Sequence, residues 1–147
     1  MSESATYSYL IEHGVKPSVQ RLAVMEFLNT HHTHPTADEI YCALIGKIPT
    51  LSKTTVYNTL KLLVEHGVAH MLTIDERNVC FDGILKPHAH CLCTKCGKIF
   101  DVELNNKKVL EAERLPNGFE VDNVELYFRG ICKECRRAEG KNEASVN

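Results

Sequence analysis

Two Cys-x-x-Cys pairs, Cys93-Thr94-Lys95-Cys96 and Cys132-Lys133-Glu134-Cys135, constrain this chain more than any other feature. Each pair sets two sulfurs on one tight turn, and Gly97 directly after the first gives that turn its freedom. Two such pairs complete a tetrahedral zinc site with no open position, so the ion is structural. The second half of the chain must then fold so that two distant turns meet. The alternative is two disulfides or reduced thiols. A disulfide within either pair would be strained, and a reducing compartment works against it. The start, Met1-Ser2-Glu3-Ser4, lacks a basic region followed by an apolar run. No apolar stretch approaches the roughly 18 residues of a membrane span. We therefore expect a soluble, cytoplasmic protein with no membrane partner, where paired cysteines mean zinc.

The first half is patterned as helices. Tyr7 to Glu12 is a short one, ended by Gly14 and Pro17. Ser18 N-caps a second, with Val19, Leu22, Ala23, Met25, Phe27 and Leu28 apolar up to about Thr30. Thr36-Ala37-Asp38-Glu39 fits a capping box and starts a third, with Ile40, Ala43 and Leu44 as its stripe. Ser52 caps a fourth, which runs to about His66 and closes at Gly67. Its apolar positions Val56, Leu60, Leu63 and Val64 form one buried stripe. Strand patterning follows at Val68–Ile74 and Asn78–Asp82, with Asp75-Glu76-Arg77 turning between them. Helices followed by a hairpin is the order of a winged helix-turn-helix.

Gly83 to Pro87 reads as a linker. Strands are expected at Lys98–Leu104 and Val124–Arg129, by alternation, and a helix at Asn106–Leu115. The residues after Cys135 are polar and read as a disordered tail. The fold class expected is α+β: a DNA-binding winged helix over residues 1–84, a small α/β metal-binding domain over residues 85–137, and a tail over residues 138–147.

The exposed face of the fourth helix holds Lys53, Thr54, Thr55, Tyr57, Asn58 and Lys61. Cations suit phosphates, Asn an adenine edge and Thr a thymine methyl, so this face suits a major groove. The bland alternative is a solvated helix face; the hairpin that follows favours recognition. Charge works mildly against DNA. The net charge is −2, and residues 1–75 carry five Lys/Arg against seven Asp/Glu. Contact must come from a local cluster, and a bound cation would remove negative charge.

A second metal constellation is His34, Asp82, His88, His90 and Asp101. In extended chain, His88-Ala89-His90 puts both imidazoles on one side. Asp101 lies on the strand face opposite Phe100 and Val102. Imidazoles with carboxylates suit Fe(II), Mn(II) or Zn(II), and the absence of thiolate lowers the preference for zinc. Singly, each of these residues reads as a surface or structural polar group. Cys80 shares a strand face with Asp82, away from Val79 and Phe81, and could approach the same ion. Cys91 is ambiguous. Cys42 reads as bland on a core-facing helix, and so do His13, His66 and His70; His31 and His32 fall in solvent at a helix end.

These stretches together resemble the ferric uptake regulator family from about residue 10 to residue 137. The resemblance is carried by Val19-Gln20-Arg21, by His34-Pro35-Thr36-Ala37-Asp38-Glu39-Ile40-Tyr41, and by Ser52-x-x-Thr55-Val56-Tyr57-Asn58-x-Leu60. It continues through Phe81-Asp82, His88-x-His90-x-x-Cys93-x-x-Cys96-Gly97 and Cys132-x-x-Cys135. It implies that the second domain dimerises, that a regulatory metal sits between the domains, and that the homodimer represses transcription at a palindromic operator in double-stranded DNA. It implies base reading by Tyr57 and its neighbours, a minor-groove contact by Lys16, and a DNA-facing role for Arg21. Asp101 stands where iron-sensing members usually carry Glu, and this resembles the peroxide-sensing branch, in which bound Fe(II) lets peroxide oxidise a ligand histidine. Cys80 departs from that branch and keeps zinc sensing open beside iron sensing. Pro87 and Ala89 replace residues of an additional metal site in some iron sensors, so that site is expected to be absent. A zinc enzyme is the distant alternative. The deaminase pattern needs a Glu after His-x and a Pro before the cysteines; neither is present. An interaction module built on the zinc knuckle is a third reading, disfavoured by the capped helix and its wing.

Overall fold

The computed structural model describes residues 2–105 and 115–140. The chain divides into two compact units, Met1–Lys86 and Pro87–Asn147. No helix among the described residues is long and apolar enough to cross a membrane.

In the first unit, α1 (Glu3–Glu12) begins earlier than its apolar periodicity indicates, because the Ser2 hydroxyl accepts from the Ala5 amide at 3.3 Å and sets the start. Ser18 caps α2 (Val19–Thr30), Thr36 caps α3 (Ala37–Leu44) in a reciprocal box with Glu39, and Ser52 caps α4 (Lys53–Glu65). At the end of α4, Gly67 has φ 71° and lets the Val68 amide turn back onto the Leu63 carbonyl at 2.9 Å. Val56, Leu60 and Leu63 are fully buried among Leu10, Val24, Met25, Leu28, Ile40 and Phe81. Burying each such side chain contributes about 1.5–3 kcal/mol. Val19 is an exception to the expected stripe. It is 72% exposed, since the first turn of α2 projects beyond the core. Cys42 is exposed rather than core-facing.

The hairpin pairs β1 (His70–Leu72) with β2 (Cys80–Asp82), antiparallel. Both strands are shorter than the alternation indicates. Cys80, Phe81 and Asp82 are all buried, whereas Val79 is exposed, so β2 does not present one wet face. The reason is a second neighbour: the Phe81 amide donates to the Pro35 carbonyl at 2.9 Å, and Thr36 bridges Cys80. A strand covered on both edges and on its faces has no alternation to display.

The second unit is a three-stranded sheet of order β4-β3-β5, comprising β3 (His88–Cys93), β4 (Ile99–Glu103) and β5 (Tyr127–Gly130). β3 is central, antiparallel to β4 and parallel to β5. The strand expected from Val124 begins only at Tyr127, where pairing with β3 starts. Phe100 is exposed. Arg136 and Arg137 are not tail: they occupy the last turn of α5 (Lys133–Ala138), where cations suit the helix C-terminus. Ala138 likewise closes that helix. The helix expected at Asn106–Leu115 lies, but for Leu115, outside the described residues, as do residues 141–147 of the tail.

Candidate metal centres and nucleic-acid interface

The turn joining β3 to β4 and the start of α5 carry the four paired cysteines. Gly97, with φ 75°, donates its amide to the Cys93 carbonyl at 2.9 Å and closes the first knuckle. The Cys132 amide donates to the Cys93 Sγ at 3.3 Å. Thr94 donates from both its amide, at 2.8 Å, and its hydroxyl, at 3.2 Å, to the Gly130 carbonyl, locking the first turn to the end of β5. Lys95 pairs with Glu139 beyond α5. All four sulfurs of Cys93, Cys96, Cys132 and Cys135 lie within 4.8 Å of one another, and the Cys96 and Cys132 sulfurs are 3.9 Å apart. Sulfurs at about 2.3 Å from a tetrahedral zinc stand about 3.8 Å apart, so the cage has the right size. Hydrogen bonds from the Cys132, Cys96 and Lys95 amides lower the Cys93 thiol to about 6. Cys135 is pushed up to about 12, first by its hydrogen bond with Cys132. Metal-free, Cys93 is thus poised to ionise while Cys135 holds its proton, and a bound cation would take that proton's place.

In the second unit, His88 and His90 project from the same side of β3, and Ala89, fully buried, from the other. Asp101 faces His90 across the β3–β4 ladder. The Asp101 Oδ1 lies 3.5 Å from His88 Nε2 and 3.3 Å from His90 Nε2, and the two rings meet edge to face at 4.4 Å. Two imidazoles therefore converge on one carboxylate oxygen. His90 is 5% exposed, and Asp101 stands at the more open side.

In the first unit, His34 and Asp82 are both buried. The register that pairs Thr36 with Cys80 and Pro35 with Phe81 sets His34 opposite Asp82. His34 has φ 55°, a left-handed conformation. Asp82 Oδ1 accepts from the Ile84 amide at 2.8 Å, which orients its carboxylate at the end of β2. Cys80 is occupied elsewhere, since its thiol donates to the Asn78 carbonyl at 3.6 Å. Burial, then the charges of Glu39 and Asp75, push that thiol up to about 11, so a metal would have to displace a firmly held proton.

On α4, Lys53, Thr54, Tyr57, Asn58 and Lys61 are exposed, and Thr55 is half-buried against its cap. The Lys53 Nζ is shared between Asp38, at 3.6 Å, and the Tyr41 ring; Lys61 lies 6.0 Å above the Tyr57 ring. Lys16 is exposed, and the half-buried Arg21 donates to its carbonyl at 2.8 Å. Lys16, Arg21, Thr55 and Asn58 line a cleft of about 480 Å³ together with Gln20 and Thr59. The sequence reading passed over those last two. Thr59 stood inside an apolar stripe, and a polar residue in such a stripe was the available signal.

The sequence profile of the ferric uptake regulator family matches residues 12–129. The chain is 40% identical over 133 residues to the peroxide operon regulator of Bacillus subtilis (strain 168), covering 88% of this chain and 90% of that one. Among solved structures it is similar to the Campylobacter jejuni peroxide stress regulator, with 26% identity and a TM-score of 0.64 over 90% of this chain and 97% of that chain. Its fold also matches the ferric uptake regulator from Pseudomonas aeruginosa with manganese, with 22% identity and a TM-score of 0.72 over 90% and 99% of the two chains. With a family match that runs from the first unit into the second, and a relative 40% identical over 88% of the chain, this chain belongs to the ferric uptake regulator family.

Proposed function

We propose that this chain is a metal-dependent, DNA-binding transcriptional repressor that senses peroxide. It acts as a cytoplasmic homodimer on a palindromic operator, with residues 1–84 reading DNA and residues 85–137 dimerising. Cys93, Cys96, Cys132 and Cys135 hold a structural zinc. His34, Asp82, His88, His90 and Asp101 hold a regulatory Fe(II) or Mn(II), with Zn(II) as the alternative. Lys16, Arg21, Lys53, Thr54, Thr55, Tyr57, Asn58 and Lys61 contact the duplex. The role is regulation rather than turnover of a substrate.

The observation that carries this reading is the convergence of His88 and His90 on the single carboxylate of Asp101. Likeness to a peroxide operon regulator supports the sensing branch. Imidazole and carboxylate donors fit Fe(II) or Mn(II) without the thiolates that would select zinc. Bound iron supplies the redox chemistry that activates peroxide. The chain supplies the target: one imidazole, of His34 or His88, gains a single oxygen atom while peroxide leaves as water. An oxidised imidazole is a poor donor, so the ion is lost. Ligands contributed by both halves then no longer hold the recognition helices at the half-site spacing of an operator.

The test is mass spectrometry of the Fe(II)-loaded protein after mild peroxide, beside a Mn(II)-loaded sample. One added oxygen on the peptide carrying His34 or His88, absent with Mn(II), is expected. Loss of DNA binding with both histidines unmodified sinks the reading. Disulfides among the four paired cysteines, formed equally with Mn(II), would transfer the sensor to the zinc site. A metal response abolished by Cys80→Ser would instead favour zinc sensing.

A further inference from the structure

We propose that the cleft between the start of α2 and α4 seats one phosphodiester group of duplex DNA, held by the Thr59 hydroxyl, the first-turn amides of α2 and Lys16. The inference rests on the DNA-binding reading above and deepens it with a contact that carries no sequence information.

Thr59 stands on the inner side of α4. It is 5% exposed on a helix face whose neighbours Val56, Leu60 and Leu63 are fully buried. Buried hydroxyls are almost always hydrogen-bonded. A helical threonine commonly bonds back to a carbonyl one turn earlier, as Thr30 does to Glu26 at 2.8 Å. The Thr59 hydroxyl makes no such bond and has no partner among the described residues, yet the residue lines the cleft. The residue is more than nine-tenths buried, yet its unpartnered hydroxyl keeps solvent access at the cleft it lines.

The start of α2 forms the opposite wall. The first amides of a helix have no intrahelical acceptor. The Ser18 hydroxyl satisfies the Arg21 amide at 3.1 Å, which leaves those of Val19 and Gln20. No acidic residue stands in that first turn. Such an end attracts anions through its N–H groups and dipole.

The charge of the cleft favours an anion. Lys16 and Arg21 line the cleft, and no carboxylate does, in a unit whose acidic residues otherwise outnumber its basic ones. Arg21 spends one guanidinium nitrogen on the Lys16 carbonyl, which pins the Lys16 segment beside the helix start. Asn58 connects the cleft to the exposed face of α4. The exposed isopropyl group of Val19 stands next to the cleft, where a deoxyribose flanking a phosphate would meet it.

The experiment uses the full chain loaded with zinc and Mn(II), and a random-sequence duplex two helical turns long. Binding is followed by fluorescence anisotropy and folding by thermal melting. Thr59→Val keeps the side-chain volume and removes the hydroxyl. Its melting temperature should hold or rise, because a hydroxyl without a protein partner is replaced by a methyl group, while affinity for the duplex falls about tenfold. Thr59→Ser should recover most of that affinity, and Gln20→Glu, which places a carboxylate in the seat, should weaken binding more than Thr59→Val. Wild-type binding with both Thr59→Val and Gln20→Glu within twofold of it overturns the seat and leaves the DNA-binding reading intact. Absence of wild-type binding at low salt removes the DNA-binding reading and the seat with it. Binding of inorganic phosphate at Thr59, with duplex affinity indifferent to Thr59→Val, overturns the proposal in favour of a free-phosphate site.

Discussion

Among the described residues, His34 is the only one other than glycine with a positive φ. A side chain there sets its β-carbon against the following carbonyl, at a cost on the order of 1–3 kcal/mol. The surroundings hold it in place: Pro35 accepts from Phe81, and Thr36 bridges Cys80, on either side of a buried imidazole. Glycine has no β-carbon, so His34→Gly should release the strain while deleting the imidazole. Metal-free His34→Gly is expected to melt at or above wild type. His34→Ala keeps the strain and loses packing, and should melt lower than the glycine variant by about 1 kcal/mol in stability. Both should lose the peroxide response. Equal melting of the two variants would show that the backbone at His34 is unstrained. His34 was readable as a candidate ligand from His34-Pro35-Thr36 beside the other histidines and aspartates. Its φ was not, since no sequence signal marks a histidine for the left-handed region. Thr59 was missed for a related reason, because periodicity places a side chain on a face but does not say where its hydroxyl points.

At the level of elements, the helices were more legible than the strands. Ser18, Thr36 and Ser52 each accept from an amide three residues ahead, and a cap of that kind is complete within four residues of sequence. The start of α1 escaped because Ser2-Glu3 precedes any apolar periodicity. Strands depend on distant partners. β3 was read only as an extended His88–His90 pair, yet it is the middle of a sheet whose other edge comes from Tyr127–Gly130. The wing alternation failed at Val79 because residues 35 and 36 cover the far edge of β2. The cap of α4 also steadies the helix start that carries the proposed DNA-reading face: the Ser52 hydroxyl accepts from the Thr55 amide at 3.0 Å and donates to the Thr55 Oγ1 at 2.8 Å. Ser52→Ala should destabilise the first unit by about 1 kcal/mol. It should also weaken duplex binding, because the helix that presents Tyr57 frays at its start. Denaturant melts beside an anisotropy titration check both, and a stable variant with unimpaired binding would remove this support role.

For the whole molecule, the decisive quantity is the proposed structural zinc. The binding energy of a structural ion is folding energy, and the four sulfurs tie β3 and its turn to α5. Cys96→Ser should unfold the second unit and leave a monomer that retains the helical signal of the first. A Cys96→Ser protein that stays dimeric with an unchanged melting temperature contradicts the structural role. Zinc uptake at pH 7 should release fewer than one proton per cysteine, because Cys93, lowered to about 6, is already ionised there. The cluster also closes a long excursion of the chain, which leaves β4 at Glu103 and returns at Tyr127. The sheet fastens both ends of that excursion, and closing a flexible stretch between fixed ends costs only about 0.6 kcal/mol more for each doubling of its length. A few residues inserted at the Asn117–Gly118 turn should therefore be absorbed with little loss of stability, whereas one residue added between Cys93 and Cys96 would reset a knuckle. The stretch between β4 and β5 is where this scaffold can vary in length and acquire new segments.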